Sequence, residues 1–200
     1  MTGLAVVGVG LPRTGTFSLR LALERIGFAP CHHMLDLIDA PNRAWPWIAA
    51  LDGDKIILAD ALAGYQAAVD LPACLLIEDI LQQFPETYAV LTHRDPASWA
   101  DSMEVTLMSG GEADPGLTRL VAQCFERLFG TCTPTRDQLV EGYLRHVSSV
   151  RAIVPPQQLL VFRVEEGWGP LCRFLSCSLP RMPFPHTNSR DTFSREATSR

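Results

Sequence analysis

Chemistry-bearing residues are most concentrated near the start of the chain, in Gly8-Val9-Gly10-Leu11-Pro12-Arg13-Thr14-Gly15-Thr16-Phe17. Gly10 and Gly15 occupy the two glycine positions of the phosphate-loop pattern G-x-x-x-x-G-K-[S/T]. In that pattern small residues let backbone N–H groups turn onto anion oxygens at a helix N-terminus. The next two positions depart from it. Thr16 stands where a lysine reaches the outer phosphates, and Phe17 where a hydroxyl binds magnesium, so both parts of a metal-assisted triphosphatase are missing. What remains is an anion site without a metal, whose fixed charge is Arg13. Its planar guanidinium suits a phosphate or a sulfuryl group.

Five further positions bear on chemistry. Asp70 follows the apolar run ending at Val69 and precedes Leu71-Pro72, so it stands at a strand-to-helix junction. Arg94 follows the apolar run Tyr88 to Thr92, and Ser102 lies two turns into the next helix, which begins at Asp95-Pro96 with a natural N-cap. Both can face one cleft. His32 and His33 are adjacent, which is no metal signature because neighbours point to different sides. They read as satisfied histidines or as a wall of a substrate pocket. Each position also has a reading without chemistry: Asp70 as a helix cap, Arg94 as a surface partner of Asp95 or Asp101, Ser102 as a solvated helix residue.

The elements that must position these groups follow from apolar spacing. A strand runs through Leu4 to Val9, and a helix from Phe17 to Phe28 carries Gly27 as its stop. A short helix covers Leu35 to Ile38. The stretch around Trp45-Pro46-Trp47 and Asp52-Gly53-Asp54-Lys55 is irregular or short-helical and is expected over the acceptor side of the pocket. Strands are expected at Tyr65–Val69, Tyr88–Thr92 and Gln158–Arg163. Helices follow at Cys74 to Phe84, Leu117 to Phe129 and Gln138 to Ile153, the last two with no obvious site, and another opens at Glu165 to Pro170. This alternation predicts an α/β fold, a three-layer α/β/α arrangement on a mainly parallel sheet with a phosphate loop. One domain is expected over residues 1–185, with a loosely ordered polar tail over 186–200.

Composition narrows the partners. At 200 residues with 47% hydrophobic content, the chain has the material for one full core, and its net charge of −5 recruits neither nucleic acid nor anionic membrane. Six cysteines form no C-x-x-C pair and no metal-ligand spacing, so they read as reduced core residues. No signal peptide, membrane-length apolar run or N-x-[S/T] sequon is present, and a cytoplasmic location is expected. An NAD-dependent dehydrogenase or epimerase is disfavoured by register. Gly8-Val9-Gly10 opens G-x-G-x-x-G, but Arg13 stands at the third glycine position, and only Asp36 is near the acidic position twenty residues on.

Three stretches together resemble the sulfotransferase family. Pro12-Arg13-Thr14-Gly15-Thr16 is similar to its loop for the 5′-phosphosulfate of 3′-phosphoadenosine 5′-phosphosulfate. Arg94 and Ser102 match its arginine and serine on the donor's 3′-phosphate. Val164-Glu165-Glu166-Gly167-Trp168-Gly169-Pro170 through Leu175, with Pro183-Phe184-Pro185, resembles its C-terminal part. The resemblance spans about residues 4 to 188. It implies that Arg13 and the backbone amides of Thr14, Gly15, Thr16 and Phe17 grip the 5′-phosphosulfate and that no metal is required. The acceptor would be a small molecule with a hydroxyl or amine. The family's histidine followed by Leu-Pro is replaced by Asp70-Leu71-Pro72, which makes Asp70 the implied base and His33 the second choice. Arg13 replaces the family's loop lysine, and Arg181 and Arg190 are the stand-ins for its long basic late loop. A non-catalytic nucleotide-binding protein of the same fold is the alternative.

Overall fold

The structure, a computed structural model, describes residues 3–108 and 114–186. Five short apolar segments form the sheet: β1 (Val6–Gly8), β2 (Cys31–His32), β3 (Ala67–Val69), β4 (Tyr88–Thr92) and β5 (Leu159–Phe162). Their order is β2-β3-β1-β4-β5, and every pair is parallel. Parallel neighbours need crossovers, which the helices supply: α1 (Thr16–Arg25), α2 (Met34–Asp39), α3 (Ala44–Leu51), α4 (Lys55–Ala61), α5 (Ile77–Gln83), α6 (Pro96–Met108), α7 (Pro115–Phe129), α8 (Arg136–Ile153) and α9 (Trp168–Phe174).

The strand period of two sorts the core into two halves. Val6, Ala67, Val69, Val90 and Phe162 pack with Leu19 and Leu23 of α1 and Leu171 of α9. Val7, Val9, Ala68, Ala89 and Leu91 face the other way, onto a larger cluster that includes Trp47, Leu58, Ile80, Trp99, Leu120 and Tyr143. Both faces are covered, which is why the strands read as continuous apolar runs rather than alternating ones. The architecture is the expected three-layer α/β/α.

Local signals account for most boundaries. Gly27, at φ +108°, lets α1 end in a double reverse bond, with Phe28 N–H on Leu23 O at 3.0 Å and Gly27 N–H on Glu24 O at 3.4 Å. Asp95 caps α6 by accepting from Ser98 N–H at 2.9 Å. The Trp45 region resolves into the two helices α3 and α4, the second started by Asp54, whose carboxylate accepts from Ile56 and Ile57 N–H. β2 is an edge strand of two residues, too short to leave a periodic signal. The segment after Pro72 first makes a 3₁₀ turn over Ala73–Leu75, and α5 begins only at Ile77. Cys31, Cys74, Cys124 and Cys172 are buried and Cys177 half-buried, but Cys132 is exposed rather than in the core. Of the tail expected over 186–200, only His186 falls among the described residues, and Arg190 lies outside them.

The strand order decides where ligands can sit. β1 is central, so the loop after it has the carboxyl ends of β4 and β5 on one side and of β3 and β2 on the other. That crevice is where open α/β sheets hold ligands.

Candidate active site

The loop from Val9 to Gly15 is built by holding its carbonyls from behind. His146 of α8 contacts Val9 O through Nε2 at 2.7 Å, and Trp99 of α6 donates from its indole to Pro12 O at 2.8 Å. Leu11 O accepts from the Thr14 hydroxyl at 2.7 Å and the Thr14 N–H at 3.3 Å, while Arg94 Nη1 donates to Arg13 O at 3.4 Å. Arg13 at φ +67° and Gly15 at φ +98° turn the chain between those anchors. Any side chain at Gly10 would collide with Thr92, whose carbonyl would lie 2.7 Å from the added carbon. A side chain at Gly15 would meet Val164 at 2.6 Å. With carbonyls pinned outward, the amides of Gly15, Thr16 and Phe17 stand at the start of α1, where no helical carbonyl receives them. Thr14 is buried, and its N–H is already directed to Leu11.

On the β4–β5 side the loop borders an open cleft of about 660 Å³, lined by Arg13, Thr14, Gly15, Ser18, His93, Arg94 and Arg163 together with His186, Asp95, Glu165 and Glu166. Two of the three acids are engaged: Asp95 caps α6, and Glu166 accepts from Arg163 N–H at 2.7 Å. Arg94 is not paired to Asp95 or Asp101, since Asp101 takes Arg136 at 2.6 Å. Instead Tyr143 of α8 clamps the Arg94 backbone, accepting from its N–H and donating to its C=O, both at 2.9 Å. Burial, and next the charge of Arg94, lower the pKa of Arg13, while Asp70 works in the opposite direction. Two guanidiniums thus converge at a site that an anion would relieve.

Ser102 is buried rather than part of the cleft wall. It lies on the inward face of α6 with Trp99 and Met103, one turn apart, and its Oγ accepts from Arg13 Nε at 3.2 Å. It therefore acts on the cleft through Arg13.

On the β2–β3 side the structure brings His33 and Asp70 together. His33 Nε2 lies 3.2 Å from Asp70 Oδ2 and 3.3 Å from Thr16 Oγ1, and the Phe17 ring meets the imidazole edge-on, centroids 5.5 Å apart. Both residues are 5% exposed. Asp70 sits at φ +69°, where the chain turns sharply off β3. Its carboxylate does not cap the following turn; the Cys74 N–H is received by the Asp70 backbone carbonyl at 3.0 Å. Oδ1 is buried with no hydrogen-bond partner among the described residues. Burial raises the Asp70 pKa, offset in part by His33, the nearby Leu71 amide and Arg13. Burial lowers that of His33, with Asp70 opposing.

His32, beside it, points the other way. It lies between Trp47 and Tyr65, ring centroids at 4.5 and 5.3 Å, with neither nitrogen hydrogen-bonded among the described residues.

Sequence reasoning missed Arg163, His93 and His186 on the cleft, and Trp99, Tyr143 and His146 behind the loop. Arg163 and His93 could have been found, since both follow strands just as Arg94 and Asp70 do. Tyr143 and His146, three apart on one face of α8, leave no signal that separates a loop support from a core position.

Among the described residues no helix is long and apolar enough to cross a membrane, and no cluster of three or more His, Cys, Asp or Glu residues is arranged to hold a metal. The chain is 28% identical to the Ava biosynthesis cluster protein M of Aspergillus versicolor, over 94% of this chain and 82% of that protein. The sulfotransferase domain family matches residues 5–193, nearly the whole length. The parallel α/β/α sheet, the arginine-bearing loop after its central strand and this match agree, and the chain belongs to the sulfotransferase domain family.

Proposed function

We propose that this protein transfers a sulfuryl group from 3′-phosphoadenosine 5′-phosphosulfate to a hydroxyl, or an amine, of a small molecule, as one domain over residues 1–185. The observation that carries the reading is the loop's position between a cleft lined by its own Arg13 and by Arg94 on one side and a buried, half-unpartnered carboxylate on the other.

The donor's 5′-phosphosulfate lies on the amides of Gly15, Thr16 and Phe17, with Thr14 shaping the turn, and Arg13 holds its oxygens in a planar fork. Arg94 binds the 3′-phosphate, its backbone fixed by Tyr143, and Ser102 orients Arg13. The acceptor oxygen attacks sulfur from the side opposite the leaving phosphate. As the new S–O bond forms, the bond to the 5′-phosphate oxygen breaks and negative charge gathers there, opposite Arg13 and the helix dipole of α1. Asp70 Oδ1 takes the acceptor's proton. The raised pKa of a buried carboxyl brings its basicity closer to that required near neutral pH. No step calls on a metal. The products are the sulfated acceptor and 3′-phosphoadenosine 5′-phosphate, and the site of action is the cytoplasm.

The test is incubation of the purified protein with ³⁵S-labelled donor and a panel containing 2-naphthol, tyramine and an alkyl glucoside. Label moving into an organic product together with an equal yield of the 3′,5′-bisphosphate is the expected outcome. A protein that neither binds the nucleotide nor labels any of the three contradicts the proposal.

A further inference from the structure

We propose that His33 is a positioning residue: the capping box that starts α2 fixes its ring so that the Nε2–H edge stands against Asp70 Oδ2, leaving Oδ1 to receive the acceptor's proton. The inference rests on the reading of Asp70 as the proton acceptor, and it assigns His33 a role other than that of base.

Helix N-caps are ordinarily Ser, Thr, Asp or Asn, whose oxygens accept backbone N–H groups. Here the cap is an imidazole. Leu35 N–H donates to His33 Nδ1 at 3.1 Å, so Nδ1 carries a lone pair and no hydrogen. A neutral imidazole has one N–H, which must then be on Nε2. The box is braced: His33 N–H donates to Asp36 Oδ2 at 3.0 Å, and Arg20 donates to Asp36 Oδ1 at 2.8 Å. From this seat Nε2–H is hydrogen-bonded to the Thr16 hydroxyl at 3.3 Å, and Nε2 lies 3.2 Å from Asp70 Oδ2, close enough for its polar edge to act on the carboxylate. Both ring nitrogens are therefore committed, and the imidazole has no lone pair left for an acceptor proton. Protonating it would put a hydrogen on Nδ1 facing Leu35 N–H and break the cap. Burial opposes the same protonation.

The charged and titratable groups around the pair come from every neighbouring element. His33, Arg13 and the thiols of Cys74 and Cys124 act on or respond to Asp70, while Arg20 and Asp36 act on His33. Of these, His33 makes the ion-pair contact with the carboxylate, Nε2 at 3.2 Å from Oδ2. Its loss should raise the Asp70 titration midpoint, because the electrostatic effect of the imidazole favours the charged carboxylate.

Two substitutions divide the two ends of the ring. His33→Asn keeps a cap acceptor in the place of Nδ1 but falls short of Asp70. His33→Gln carries an amide N–H toward Asp70 but gives up the cap. In ¹⁵N-histidine-labelled protein at pH 7, the His33 resonances, identified by their loss in either variant, should report the Nε2–H neutral tautomer. In ¹³C-carboxyl spectra assigned with Asp70→Asn, the Asp70 midpoint should rise by roughly one pH unit in His33→Asn and stay near the parent value in His33→Gln. His33→Gln should be the variant that melts earlier. An Nδ1–H or charged ring in the unmodified protein, or an Asp70 midpoint unchanged in both variants, overturns the inference. These readouts need neither donor nor acceptor, so they are separate from the base reading itself, which fails if Asp70→Asn transfers sulfuryl at full rate.

Discussion

On the β4–β5 side of the loop, Arg13, Arg94, Arg163 and His93 face an open cleft of about 660 Å³. On the β2–β3 side, Asp70 and His33 face each other at 3.2 Å, each 5% exposed. The same sheet edge thus presents charge in two ways. Where water remains, the guanidiniums line an open cleft and can meet a polyanionic donor. Where water is excluded, burial raises the proton affinity of the Asp70 carboxylate and opposes protonation of His33, which suits a carboxylate that must take up a proton beside a neutral ring. Gly15, Thr16 and Phe17 join the two sides, because their amides open α1 while the Thr16 and Phe17 side chains reach His33.

Asp70→Asn breaks this contrast most severely. It preserves shape, so donor affinity should stay near the parent value while turnover falls by roughly 10²–10⁴. Stability should move the other way. The folded-state pKa of Asp70 is raised, so the folded protein holds this proton to higher pH than the unfolded chain. Stability from this group is therefore lost as pH climbs from the ordinary carboxylate range through the native value. The variant should melt at or above the parent temperature at pH 8, and the gap should close as pH falls toward 4.

Arg94→Ala acts on the open side alone. A charge-assisted hydrogen bond contributes about 1.5–3 kcal/mol, so affinity for 3′-phosphoadenosine 5′-phosphate should drop by roughly 10- to 150-fold. Adenosine 5′-phosphate should bind almost as before, and melting without ligand should hardly move. Equal losses for the two nucleotides would remove Arg94 from the 3′-phosphate.

His32 extends the buried side's logic to a residue with no proposed catalytic role. Burial pushes its pKa down to about 3, so the folded protein excludes a proton that the unfolded chain binds below pH 6.5. Stability should decline as pH falls through that window, by on the order of 1.4 kcal/mol per pH unit at most. His32→Phe, packed between Trp47 and Tyr65, should flatten denaturant midpoints between pH 4 and 6. An unchanged slope would place the acid sensitivity elsewhere.

Tyr143→Phe is the mildest. It removes two hydrogen bonds from the Arg94 backbone, which should lower stability by about 1 kcal/mol and loosen the 3′,5′-bisphosphate only slightly.

The open side was largely legible in the sequence. Gly10, Gly15 and Arg13 announce an anion loop, and Arg94 stands after a continuous apolar strand, so pattern and position suffice. Arg163 follows a strand by the same rule, yet its place in the cleft depends on β5 pairing with β4, which spacing alone does not give. The buried side was legible only in part. Asp70 was marked by its junction, but its pairing with His33 needs β2, an edge strand of two residues, laid beside β3. His33 as an N-cap was hidden for a different reason: imidazole is not an expected capping group, so its neighbour Asp36 read as a weak match to a ribose contact instead of half of a capping box.

The central claim, a cleft built for a 3′,5′-bisphosphate nucleotide, is tested most directly by thermal shift with EDTA present. 3′-Phosphoadenosine 5′-phosphate at a hundred times its dissociation constant should stabilise the protein by about 2.7 kcal/mol, unaffected by the chelator. NAD, and ATP tested separately with magnesium, should leave the melting temperature where it was. Stabilisation by NAD or Mg-ATP with none from the 3′,5′-bisphosphate would contradict the account.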